Sequence, residues 1–206
     1  MAEDAEVEVT SPEHPWVSRG GVKLAAALDA FGIDPAGRVC LDVGASTGGF
    51  TDVLLSRGAS RVYAVDVGWG QLHARLRGDP RVVVREKVNA RFLSRGEVPE
   101  EPSLLVSDVS FISVTLILPA VVPLLSPEAE AVLLVKPQFE SERGEVGKGG
   151  IVRDEAVRER ARTRVVSAAE ALGLSSLGVL ESPIRGADGN VEYLAVFRRI
   201  PGRLRR

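Results

Sequence analysis

Short runs of consecutive apolar residues, separated by amphipathic or glycine-rich stretches, recur along almost the whole chain and constrain its fold more than any other feature. The stretch "AVLLVKPQFE" is the sharpest case: Ala131 to Val135 are apolar without a break, and Lys136 and Pro137 follow at once. A strand with only one buried face alternates apolar and polar residues. A continuous run of this length indicates burial on both faces, as in a parallel sheet covered by helices. Comparable runs predict strands at 38–43, 61–67, 81–86, 103–109, 131–136, 177–182 and 191–199. Helical patterns fall between them at about 22–31, 48–57, 69–77, 113–125 and 153–172, the last opening at Asp154 and ending before Gly173, a plausible cap pair. Strand–helix alternation argues for a doubly wound, Rossmann-like α/β fold: a seven-stranded, mostly parallel sheet with helices on both faces. The last two strands are joined by "PIRGADGN", a loop without helical pattern, and are expected to form an antiparallel hairpin at one edge. The segment 139–152 reads as a long, glycine-rich loop, a lid or a binding element.

Bulk properties exclude several classes. The longest apolar candidate, "ISVTLILPAVVPLLSP", is interrupted by Pro119 and Pro123, whereas a bilayer asks for about 20 uninterrupted apolar residues. The N-terminus "MAEDAEVEVT" has neither the basic nor the apolar region of a signal peptide. The single cysteine, Cys40, excludes an internal disulfide. A cytoplasmic protein without a membrane partner is the expectation. Net charge is only −2, but residues 1–13 carry five acids and no Lys or Arg. Residues 198–206 carry five arginines (Arg198, Arg199, Arg203, Arg205, Arg206) and no acid. Such a tail either holds phosphates or is a solvated terminus.

In open parallel sheets, ligands bind beyond the carboxyl ends of the strands. The first such end reads "LDVGASTGGFTD": a strand ending at Asp42 and Val43, then Gly44, Gly48 and Gly49 leading into a helix. The glycines suit a tight turn and close approach of a ligand to backbone. The G-x-x-x-G-G spacing departs from the G-x-G-x-x-G of dinucleotide binders, which disfavours a nicotinamide cofactor. A nucleoside-type ligand remains, because Asp66 ends the next strand, where an acid can take a ribose diol. Asp42 would reach the ligand's ammonium group directly or through water. Three acids at strand ends (Asp42, Asp66, Asp108) suit a cationic sulfonium better than a pyrophosphate, so charge favours S-adenosylmethionine. Four ionisable residues stand out further: Lys23 at the start of the first helix, Asp108, Lys136, and Glu192 opening the last strand. Neighbouring strand tips lie about 5 Å apart, so Asp108 and Lys136 would meet if their strands pair.

The stretches "WVSRGGVKL", "LDVGASTGGFTD", "VYAVDVGWGQL", "DVSFIS", "KPQFE", "VGKGGIVRD" and "SPIRGADGNVE", in this order and spacing, resemble the pattern of the TlyA family of hemolysin A-like ribosomal RNA methyltransferases, which carry an FtsJ-like catalytic domain. The resemblance runs from about Pro15 to Arg198, with Trp16 where the family often has tyrosine. It implies methylation of a ribose 2′-hydroxyl, of cytidine, with S-adenosylmethionine as donor, ribosomal RNA or ribosomal subunits as partner, and no metal. It implies a catalytic tetrad of Lys23, Asp108, Lys136 and Glu192, with Lys136 as the first choice of base and Lys23 steering the hydroxyl or a neighbouring phosphate. Cofactor contacts are implied at Asp42, Gly44, Ala45, Ser46, Thr47, Gly48, Gly49, Phe50, Asp66, Val67, Gly68, Asn89 and Asp108, with Gly68 and Trp69 walling the adenine. Ser18, Arg19, Lys148 and Asn190 are the substrate-binding candidates. The expected organisation is an acidic segment 1–14, a remnant of the family's RNA-binding module, a methyltransferase domain 15–200 and a basic tail 201–206. Whether the protein is a monomer or a dimer stays open. Three rivals stand beside this reading: a non-catalytic RNA-binding protein of the same fold, a nicotinamide enzyme, and a membrane-active hemolysin.

Overall fold

A computed structural model describes residues 14–200. The acidic N-terminal segment and the arginines Arg203, Arg205 and Arg206 lie outside the described residues. Seven strands form one sheet: β1 (Val39–Val43), β2 (Arg61–Val65), β3 (Val82–Arg85), β4 (Leu104–Ser107), β5 (Glu130–Val135), β6 (Leu174–Glu181) and β7 (Tyr193–Arg199). Their order is β3-β2-β1-β4-β5-β7-β6. The β3-β2-β1-β4-β5 part is parallel, and β7 is antiparallel to both β5 and β6. The chain reverses its direction of travel across the sheet between β1 and β4, and such a switch point opens a crevice at the carboxyl ends of the two strands.

Alternate residues of the central strands feed two cores. Leu41, Leu105, Leu133 and Val135 face one side, and Cys40, Leu104, Val132 and Leu134 the other, each at most 1% exposed. This two-sided burial is why β5 is an unbroken apolar run. The edge strand β6 alternates instead, with only its first residue, Leu174, fully buried. The second core is roofed by α1 (Gly20–Phe31) through Leu24, Ala27 and Leu28 and by α2 (Gly49–Ser56) through Val53 and Leu54. Two short helices follow, α3 (Ala74–Arg77) and α4 (Leu118–Val121). After β5 come α5 (Pro137–Glu140) and the long α6 (Glu155–Ala171). Helix α6 packs Val165 and Ala169 onto the first core. The Asp154 side chain caps α6 by accepting from the Ala156 N–H at 2.8 Å, and Gly173 leaves it at φ +88°.

Several expected boundaries shift. The pattern at 69–77 yields only the four residues of α3, because Gly70 at φ +71° turns the chain first. The pattern at 113–125 breaks into α4 flanked by 3-10 turns, since Pro119 and Pro123 each remove a backbone donor. Strand β6 starts three residues earlier than its apolar run, because the polar Ser175 and Ser176 still pair with β7. Strand β7 starts at Tyr193 rather than Val191. The segment 139–152 is not structureless: it continues α5 and contains 3-10 turns at Arg143–Glu145 and Lys148–Gly150. The expected edge hairpin is present, with β7 on its inner side. Arg198 pairs with Glu130 at 2.8 Å, and Arg199 donates to the carbonyls of Leu125 and Ser126, so these two arginines brace the sheet.

Candidate active site

Two cavities open at the switch point and share a boundary. The larger, of about 480 Å³, lies beyond β1, β2 and β3, with Asp66, Val67, Gly68, Asn89 and Phe111 among its walls. The smaller, of about 290 Å³, lies beyond β1, β4 and β5 and is lined by Lys23, Asp108, Lys136 and Glu192. Gly44, Ser46, Asp108 and Ser110 line both.

The glycine turn builds the boundary. Gly44 follows β1 at φ +86°, and a Cβ there would stand 2.6 Å from the backbone oxygen of Asp108. Only glycine lets the β1 turn press onto the end of β4. Ser46 adopts φ +47°, costly for a residue with a side chain, and its N–H donates to Asp66 Oδ2 at 2.8 Å. The N–H of Gly68 donates to Asp66 Oδ1 at 2.7 Å. Asp66 is thus fixed by two backbone donors, and each oxygen keeps a lone pair for a further hydroxyl. Among the described residues, three non-glycine residues have positive φ: Ser46, Lys87 and Phe111. Two line the larger cavity and the third precedes Val88, which also lines it. Backbone strain of this kind concentrates at ligand sites.

The smaller cavity gathers distant parts of the chain. Lys23, on the first turns of α1, donates to Glu192 Oε2 at 2.5 Å, a pair buried on both sides. Because β4 and β5 pair side by side, Asp108 and Lys136 meet as expected, Nζ lying 2.6 Å from Oδ1. That contact lacks hydrogen-bond alignment; the well-formed bond of the Lys136 ammonium goes to Ser110 Oγ at 2.7 Å. Pro137 starts α5 immediately, which turns the chain from the sheet and leaves Lys136 at its tip.

The structure redistributes the remaining candidates. Ala45, Thr47, Gly49, Phe50, Ser18 and Arg19 line the smaller cavity rather than the larger. Asp42 lines neither. It is fully buried in β1 and accepts from the Thr51 hydroxyl at 2.6 Å. Burial pushes its pKa up to about 7, the Thr51 hydrogen bond opposing and the Asp108 charge adding to the rise. A direct contact with a ligand's ammonium does not fit this placement. Gly48 lines neither cavity: a Cβ there would stand 2.3 Å from Leu76, so the position serves the packing of α3. Trp69 is 72% exposed and lies outside the larger cavity, with the Lys87 ammonium 5.1 Å from its ring. Lys148 is exposed and lines neither cavity. Asn190 is buried and clasps the glycine-rich segment, accepting from the Val152 N–H at 2.9 Å and donating to the Gly150 carbonyl at 2.8 Å. It holds that segment and lines neither cavity. Ser110, Phe111 and Arg185 were not singled out by sequence reasoning. Ser110 and Phe111 sit inside "DVSFIS", two and three residues past Asp108, and this proximity was the available signal.

The residues suit S-adenosylmethionine. The larger cavity offers an apolar slot (Val67, Val88, Ala90, Ile117) beside a carboxylate fixed for a diol. The shared boundary carries the Asp108 carboxylate, which favours a positive sulfonium.

Fold and crevice define an S-adenosylmethionine-dependent methyltransferase. The N-methyltransferase NodS from Bradyrhizobium japonicum, solved with S-adenosyl-L-homocysteine, shares the fold at a TM-score of 0.60 and 18% identity, over 91% of this chain and 89% of that one. The FtsJ-like methyltransferase family matches residues 16–199, and the chain belongs to that family. It is 54% identical, over 92% of its length and 71% of the relative's, to the 16S/23S rRNA (cytidine-2′-O)-methyltransferase TlyA of Mycobacterium tuberculosis. A crystal structure of a Lactococcus lactis protein assigned as a hemolysin superposes at a TM-score of 0.86 with 47% identity, covering 89% of this chain and 88% of that one. The hemolysin name therefore travels with this fold. Among the described residues no helix is long and apolar enough to cross a membrane.

Proposed function

We propose that the protein transfers a methyl group from S-adenosylmethionine to the 2′-hydroxyl of a cytidine in ribosomal RNA, in the cytoplasm where ribosomes are built. The observation that carries this reading is the convergence of Lys23, Asp108, Lys136 and Glu192 in one cavity that shares its wall with a nucleoside-sized cavity. The relative TlyA, more than half identical, supports the substrate class.

In this reading Asp66 holds the cofactor's ribose diol, Asn89 and the apolar slot hold the adenine, and the Gly44–Ser46 turn bounds the amino-acid end. Bound S-adenosylmethionine supplies an electrophilic methyl group on a sulfonium. A ribose hydroxyl is a weak nucleophile until its proton is drawn away, and Lys136, at the β5 tip, is the group placed to take it. Lys23 is held by Glu192 and steers the hydroxyl or an adjoining phosphate. Asp108 holds Lys136 at the boundary of the two cavities. Fixing the hydroxyl in line with the reacting carbon supplies much of the acceleration.

The test is incubation of ribosomal RNA with methyl-labelled S-adenosylmethionine, followed by digestion to nucleosides and mass spectrometry. Label in 2′-O-methylcytidine is the expected outcome. Label on a base, or none at all with intact protein and RNA, overturns the reading.

A further inference from the structure

We propose that Ser110 is a positioning residue for methyl transfer, its hydroxyl orienting the Lys136 amine so that the lone pair faces the ribose hydroxyl. The inference rests on the reading of the site as a ribose 2′-O-methyltransferase.

The Lys136 nitrogen is tetrahedral, with three directions left after its carbon. The Asp108 carboxylate lies 2.6 Å away, an ion-pair contact outside hydrogen-bond alignment. Ser110 Oγ, at 2.7 Å and in hydrogen-bond geometry, occupies one direction. Another is left for the cavity that Lys136 lines. A neutral amine has two N–H groups and one lone pair. With one N–H held by Ser110 in hydrogen-bond geometry and the ammonium drawn to the Asp108 carboxylate only by charge, the Ser110 bond is what turns the lone pair toward the cavity. The hydroxyl proton then passes to Nζ while the bonding electron pair stays on the ribose oxygen.

Asp108 alone does not fix that orientation, because its contact is poorly aligned and leaves the amine free to rotate about its terminal bond. The other charged groups around the cavity do not substitute. Glu192 is committed to Lys23, and Arg19, Arg185 and Lys23 itself only donate. Ser110 is one of the four residues bordering both cavities, so it stands where the methyl group must cross. It is solvent-exposed, which makes its replacement cheap in stability.

The experiment measures kcat and KM for methyl transfer to ribosomal RNA by wild type, Lys136→Ala, Ser110→Ala and Ser110→Thr at saturating S-adenosylmethionine. Ser110→Ala is expected to lower kcat by about 10- to 100-fold, the scale of a misaimed reacting group. KM for RNA and the melting temperature should hold. Ser110→Thr, which keeps the hydroxyl, should restore the rate. An unchanged kcat in Ser110→Ala, or a threonine variant as slow as the alanine one, overturns the inference and leaves the methyltransferase reading standing. Absence of transfer by wild type, or an active Lys136→Ala, overturns that reading itself.

Discussion

The two cavities at the switch point are assembled in opposite ways. The larger is local. Its Asp66 carboxylate and glycine turn come from the first two strand–helix connections, and Ser46 reaches Asp66 across only 20 residues. The smaller is long-range. Lys23 and Glu192 are separated by 169 residues, and they meet because β7 inserts next to β5 and brings the chain's end back toward α1. The larger cavity is walled mainly by apolar side chains, while the smaller buries two lysine–carboxylate pairs. The division matches two tasks: holding a nucleoside asks for shape and one fixed acid, whereas activating a hydroxyl asks for charges kept from water.

The contrast can be broken one cavity at a time. Lys136→Ala should have the largest effect, lowering methyl transfer by roughly 1000-fold or more, the range lost with a general base. Its S-adenosylmethionine affinity should stay within about threefold, as read by calorimetry. Glu192→Ala leaves the Lys23 ammonium buried and unpaired, and removing one partner of such a pair costs about 3–5 kcal/mol. Denaturant unfolding should show that loss, while Lys23→Met together with Glu192→Leu should recover most of it. Asp66→Ala removes the diol acceptor and should weaken cofactor binding by about 10- to 100-fold, the worth of hydrogen bonds to a charged group. NAD should bind more weakly than S-adenosylmethionine to the wild type.

The smallest effect concerns Asp42, beneath the boundary. Its folded-state pKa of about 7 lies above the ordinary aspartate value of 3.8, so between these pH values the folded state holds a proton that the unfolded state has lost. The contribution is fully present below the unfolded pKa and is lost as pH rises through 7. Stability measured by urea unfolding should therefore fall from pH 5 to pH 8 by about 1 kcal/mol or more, and Asp42→Asn should flatten that fall.

Legibility from sequence followed the same divide. Strands buried on both faces announced themselves as continuous runs, and the glycine turn and Asp66 stood in one short segment each. The meeting of Asp108 with Lys136 followed from the pairing of β4 with β5. The pairing of Lys23 with Glu192 depended on where β7 inserts, which no local pattern encodes; the family resemblance implied only that the two share a site. The clasp made by Asn190 was not legible, because a buried amide clasp and a substrate-facing amide look alike in sequence. The expected direct contact of Asp42 with a ligand does not fit its buried place on Thr51, because a strand-end acid can point into the crevice or behind it. Ser110 escaped notice because a serine after a strand is ordinary until its lysine partner is in view.

The central claim is that the two cavities form a single reaction site joined at Gly44, Ser46, Asp108 and Ser110. A crystal structure of the protein with S-adenosyl-L-homocysteine tests it most directly. The account predicts the adenosine in the larger cavity with its ribose on Asp66, and the sulfur at the shared boundary facing Lys136. Adenosine seated among Lys23, Lys136 and Glu192, or a sulfur turned away from that boundary, would contradict it.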